Sequence, residues 1–69
     1  MTLEELIADY EEVEDLDMMW VLTATTLDLY MKEDIEFIDY RLLESQVTRY
    51  KYEVREHNGR TIRYLYVEC

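Results

Sequence analysis

Two periods of apolar and polar positions follow one another along this chain, and the change falls close to residue 47. Leu3, Leu6, Ile7, Tyr10 and Val13 recur at three- and four-residue intervals, the spacing that lines one face of an α-helix. Glu4, Glu5, Glu11, Glu12 and Asp15 fall on the other face. Thr2, with Glu5 three residues later, fits a capping box, in which each side chain satisfies an orphan N–H of the first turn. The pattern predicts a first helix over about residues 3–13.

The next segment reads less simply. Leu16, Trp20, Leu27 and Met31 make one stripe, while Val21, Leu22 and Leu29 spread apolar surface around the axis. A helix apolar on nearly all sides belongs in the middle of a fold, and a second helix over about 18–30, capped by Asp17, is the expectation. A strand over 18–25 competes with it, because Trp20, Val21, Thr23 and Thr25 favour extended backbone. A third helix is predicted over about 33–46. Glu33 and Asp34 suit its positive first turn, Ile35, Ile38 and Leu42 face inward with Phe37 and Leu43 beside them, and Glu36, Asp39 and Glu44 face out.

Beyond residue 47 the period becomes two. Asn58-Gly59 separates two alternating runs, and both residues accept the positive φ of a type I′ turn. A hairpin over about 48–57 and 60–68 follows, with His57 opposite Arg60, Arg55 opposite Ile62, Glu53 opposite Tyr64, Lys51 opposite Tyr66 and Arg49 opposite Glu68. Tyr50, Tyr52, Val54, Leu65 and Val67 then share the core face. Arg49, Lys51, Arg55, Arg60, Tyr64 and Tyr66 share the other face with Ile62.

The runs Val47–Val54 and Arg60–Val67, split by Asn58-Gly59 and placed after three helices, give an order and length that resemble a winged-helix domain. The expected fold class is therefore α+β, one domain over 1–69, with three helices followed by a C-terminal β-hairpin in the position of the wing. The resemblance implies a third helix in a DNA major groove and a wing against the flanking backbone. Here that helix carries Glu33, Asp34, Glu36, Asp39 and Glu44 against Lys32 and Arg41. Phosphate would repel it, because DNA affinity depends on cations that displace condensed counterions.

Charge sharpens this picture. Residues 1–40 hold thirteen acids and one base, whereas residues 41–69 hold six bases and four acids. The net charge of −10 exceeds the roughly 2–8 that solubility asks of a small domain, and self-repulsion at that level costs stability. With 69 residues, only ~60% of the unfolded surface can be buried. One cysteine closes no internal disulfide and suits a reducing compartment. The acidic N-terminus does not read as a secretory signal, and the Met18–Leu22 apolar run is too short to span a bilayer. A cytoplasmic location is expected (host cytoplasm if the source is viral), with no membrane contact.

Catalysis is not expected. A nucleophile–base pair needs Ser45 or Cys69 beside His57, the single histidine, and no constellation of that kind is legible. The run from Glu11 to Asp17 lacks the glycine that a calcium loop requires for its turn. No metal or cofactor is expected.

Carboxylates at i, i+3 and i+4 stand ~5–6 Å apart, close to the phosphate spacing of a nucleic-acid strand. The leading expectation is a protein-binding regulator or inhibitor, and within that class a nucleic-acid mimic such as viruses and mobile elements encode. Its partner would be a protein with a basic surface that handles nucleic acid. Glu4, Glu5, Glu11, Glu12 and Asp15 would make first contact, followed by Glu33, Glu36 and Asp39. The alternative is a winged-helix-like DNA-binding regulator, in which Arg49, Lys51, Arg55 and Arg60 grip phosphate while Tyr64 and Tyr66 stack on bases. Direct nucleic-acid binding is the lesser expectation, because those cations face competition from the domain's own acids. A homodimer is also expected as an option, with the basic hairpin of one copy against the acidic helices of another. A third reading is a subunit of a larger assembly, with Trp20 or the tyrosines partly exposed in isolation.

Overall fold

The computed structural model describes residues 1–13 and 15–69, and of residues 11–13 the backbone only. Helix α1 (Leu3–Val13) starts at the expected capping box. The Thr2 amide donates to Glu5 Oε1 at 3.1 Å, and the Glu5 amide donates to Thr2 Oγ1 at 3.3 Å. Leu3, Leu6 and Ile7 are buried beneath it. Val13, the last position of the expected stripe, has its side chain outside the described residues.

The expected order of three helices and then a hairpin, winged-helix-like, is not the one adopted. After α1 come strands β1 (Met18–Leu22) and β2 (Leu27–Met31), a 3₁₀ segment (Lys32–Phe37), a one-turn helix α2 (Tyr40–Leu43), and strands β3 (Arg49–His57) and β4 (Arg60–Glu68). The four strands form one sheet in the order β2-β1-β4-β3. β1 runs antiparallel to β2 and parallel to β4, and β3 and β4 form the antiparallel hairpin.

The helix expected over 18–30 is thus a second hairpin. Burial along β1 alternates, with Met19 and Val21 fully buried between half-buried Met18, Trp20 and Leu22, the signature of a strand with one covered face. The stripe of Leu16, Trp20, Leu27 and Met31 is not a helical face: Leu16 is buried, whereas Leu27 and Met31 are exposed. Asp17 caps no helix. Its amide donates to the Arg63 carbonyl at 2.8 Å, its carboxylate accepts from the Arg63 amide at 2.7 Å, and its carbonyl accepts from the Lys32 amide at 3.0 Å. It ties the entry of β1 to β4 on one side and to the start of the 3₁₀ segment on the other.

The helix expected over 33–46 is broken at Ile38 and Asp39, whose ψ angles of 136° and 132° are not helical. Two local preferences decide this. Ile35 and Ile38 are three residues apart and both buried, which matches the three-residue turn of a 3₁₀ helix. Asp39 then acts as a fresh N-cap, its carboxylate accepting from the Arg41 amide at 2.8 Å. Short polar side chains favour such caps over helix interiors.

The C-terminal hairpin has the expected register, from His57 opposite Arg60 to Arg49 opposite Glu68. Asn58 (φ 51°) and Gly59 (φ 76°) both take the positive φ of the turn. Leu65 and Val67 are fully buried, but Tyr50 and Val54 on the same face are exposed, because β3 is an edge strand reaching past the helical cover. Tyr52 is half-buried and stacks on Tyr10, with ring centroids 5.3 Å apart.

The molecule therefore has two layers. α1, the 3₁₀ segment and the residues around α2 supply Leu3, Leu6, Ile7, Ile35 and Ile38 to the core, against Met19, Val21, Leu65 and Val67 of the sheet. Each such side chain contributes about 1.5–3 kcal/mol by leaving water. Among the described residues no element lies over the second face of the sheet. Its three rows are Met31-Met18-Tyr64-Glu53, Leu29-Trp20-Tyr66-Lys51 and Leu27-Leu22-Glu68-Arg49.

Candidate functional site

Two surfaces of opposite character come out of this architecture. On the helical layer, exposed Glu4 of α1 and Glu36 of the 3₁₀ segment flank a groove floored by Ile7, Ala8, Ile35 and Leu43. Its volume of about 190 Å³ is below the ~300–1,000 Å³ of a typical small-molecule site, and fits a side chain or two. Phe37 and Tyr40, which follow Glu36 in the chain, are 77% and 65% exposed. Glu4, Glu33 and Glu36 form no ion pair among the described residues. Here the structure brings together carboxylates from the first and third segments.

The remaining expected contact residues are placed differently. Glu5 is occupied by the capping box, and the Thr2 amide followed by the Thr2 hydroxyl lowers its pKa. Asp39 is occupied as the cap of α2. Asp15 pairs with Lys32, which lowers the pKa of the carboxyl and raises that of the amine. The side chains of Glu11 and Glu12 lie outside the described residues, as does Glu14 of the acidic run.

On the open sheet face the expected register gathers Arg49, Lys51, Arg55, Tyr64 and Tyr66, with Arg60 at the turn. Three of these cations are held by the domain's own acids. Arg49 Nε stands 3.7 Å from Glu68, Lys51 Nζ 2.5 Å from Glu53 Oε1, and Arg55 Nε 3.1 Å from Glu53 Oε2. The Tyr64 hydroxyl also donates to Glu53, and the Arg55 guanidinium lies 5.9 Å from the centre of the Tyr64 ring. Lys51 first, then Tyr64 and Arg55, hold the Glu53 carboxyl down at about 2, and the bond to Glu53 raises the Tyr64 pKa. Arg49, Lys51 and Arg55 thus each have an anionic neighbour.

Sequence reasoning missed the apolar half of the same face, formed by Leu27, Leu29 and Met31 of β2 beside Met18, Trp20 and Leu22 of β1. The signal was present as apolar residues two apart, at 18, 20 and 22 and again at 27, 29 and 31. It was overridden by the helical spacing that some of them also satisfy. Phe37, expected beside an inner helical stripe, is exposed instead.

His57, Ser45 and Cys69 are not brought together. His57 is at the hairpin tip, whereas Cys69 follows the far end of β4 and donates its amide to the Leu22 carbonyl. Eight residues of paired strand separate those ends by roughly 27 Å. Ser45, also at the far end, donates its hydroxyl to the Arg41 carbonyl at 3.2 Å. Burial raises the Cys69 pKa, which disfavours the thiolate. Among the described residues no His, Cys, Asp and Glu cluster has metal-binding geometry, and no helix is long and apolar enough to cross a membrane. Comparison of the chain with protein-family models, curated protein sequences and solved structures finds no match.

Proposed function

We propose that this protein binds another protein through its acidic helical layer and regulates or inhibits it. The observation that carries the reading is where negative charge goes uncompensated. On the sheet face Glu53 and Glu68 are neutralised by Arg49, Lys51 and Arg55. On the helical layer Glu4, Glu33 and Glu36 are exposed and form no ion pair among the described residues, and exposed Phe37 and Tyr40 follow Glu36 in the chain. Aromatic anchors inside a charged rim are the usual makings of a protein contact. The carboxylates steer a basic partner in, and the groove between Glu4 and Glu36 accepts an aliphatic or arginine side chain from it. A nucleic-acid-handling protein, whose own ligand is a polyanion, is the partner class this charge suits.

The test is capture of partners from nuclease-treated lysate of the source or host cell on the immobilised protein, eluted by rising salt. A basic nucleic-acid-handling protein is expected, released as salt rises and lost with the triple variant Glu4→Lys, Glu33→Lys, Glu36→Lys. Equal capture by that variant, with its circular dichroism unchanged, refutes the reading. Recovery of nucleic acid itself from a parallel, untreated lysate would favour the basic hairpin as the working surface.

A further inference from the structure

The open face of the sheet is divided lengthwise into an apolar half, on β2 and β1, and a charged margin, on β3. Leu27, Leu29 and Met31 are 55%, 43% and 38% exposed on the edge strand, and Trp20 is half-buried beside Leu29. A two-layer α/β domain ordinarily leaves a sheet face polar if water is its neighbour. We infer that this face is covered by a second copy of the chain, in a closed two-fold dimer that packs sheet on sheet.

Three observations select a second copy as the occupant. The first is charge. Each copy carries −10, so like copies repel, and they do so least where cations and carboxylates already balance, as in the ion pairs of Arg49 and Glu53. The second is self-complementarity. A two-fold axis lying between the sheets and across the strands places each strand over its own counterpart, in the opposite direction. The apolar halves then meet, and the Arg49 end of one copy lies over the Glu53 end of the other. Isologous contacts of this kind close on themselves, and aligned sheets pack about 10 Å apart. The third is area. Four strands ~4.8 Å apart, paired over five residues of ~3.3 Å, give a footprint of about 300 Å². This is the size of the largest patch that a typical monomer exposes, and such patches are often functional. It is below the ~800 Å² per partner of a standard stable interface, so the dimer is a weak one that dilution dissociates. The helical layers remain outside, which leaves the proposed partner surface free and presents it twice.

Sedimentation of the intact protein over a concentration series, at low and at high salt, tests the inference. Expected are a monomer–dimer equilibrium with no larger species, tightening as salt screens the repulsion between copies, and a blue shift of Trp20 emission as the dimer forms. Leu29→Lys is expected to weaken it at least ~10-fold, by forcing a charge into the apolar contact. Leu27→Lys, one row away, serves if L29K loses its circular dichroism. A monomer even at about 1 mM, the weak limit of specific association, overturns the inference. So does self-association that loosens with salt and leaves Trp20 emission unchanged, the behaviour of a basic hairpin meeting acidic helices. Undiminished dimerisation of folded L29K overturns it as well.

Discussion

Glu53 accepts from three side chains at once, Lys51, Tyr64 and Arg55, and its pKa falls from the ordinary 4.5 to about 2. A carboxyl depressed in the folded state stabilises the fold fully above its unfolded pKa, and loses that contribution as pH falls through its folded pKa. The difference in thermal midpoint between the wild type and Glu53→Gln is therefore expected to be constant above pH 5 and to shrink from pH 4.5 toward pH 2. A difference independent of pH over that window would show that the three contacts do not favour the ionised form. Single residues also show which information is local. Thr2 with Glu5, and Asn58 with Gly59, were legible because each device is complete within four residues. Asp17 was not, because its carboxylate is claimed by the amide of Arg63, 46 positions away.

Between β1 and β2 the chain reverses without glycine, proline or asparagine, which is why the sequence offered no turn signal there. Threonine hydroxyls do the work instead. Thr23 Oγ1 accepts from the Thr26 amide at 3.1 Å and from the Thr25 amide at 3.4 Å, and bonds the Thr26 hydroxyl at 2.9 Å. Such side-chain turns mimic a backbone turn. Thr23→Ala is expected to destabilise by about 1 kcal/mol in urea unfolding, Thr23→Ser by much less. Thr25→Ala, which removes a hydroxyl not engaged among the described residues, should change little. Equal losses at positions 23 and 25 would count against this account. The helix expected over 33–46 failed for a related reason. Ile35 and Ile38 do face inward, but three-residue spacing serves a 3₁₀ turn as well as an α-helix, and Asp39 starts a separate helix after the break.

For the molecule as a whole, the uneven charge was fully legible and the architecture was not. The sequence showed where acids outnumber bases. It did not show that the strands between the acidic segments would leave one sheet face bare, since that depends on pairing β1 with β4 across the length of the chain. Uncompensated carboxylates on one layer should make the fold salt-sensitive. Raising ionic strength from ~0.01 M to ~0.15 M shortens the Debye length from ~30 Å to ~8 Å. In dilute protein this is expected to raise the thermal midpoint by a few degrees, about 4–8 °C for each 1 kcal/mol of relieved repulsion. Glu36→Gln, which removes one unpaired charge, should raise the low-salt midpoint and flatten the salt response. A midpoint indifferent to salt would mean that the charges are balanced in some other way.

The parallel pairing of β1 with β4 also governs when the chain can fold. Met18 to Leu22 find their inner neighbours in Tyr64 to Glu68, and Leu22 accepts from the amide of Cys69. The parallel partner of β1 is therefore missing until residues 64–68 have been synthesised. During translation α1 and the first hairpin wait beside the ribosome with Met19 and Val21 uncovered, for about 2–9 s at ~5–20 residues per second. In that interval uncovered apolar side chains invite aggregation, and the net negative charge of residues 1–40 opposes it.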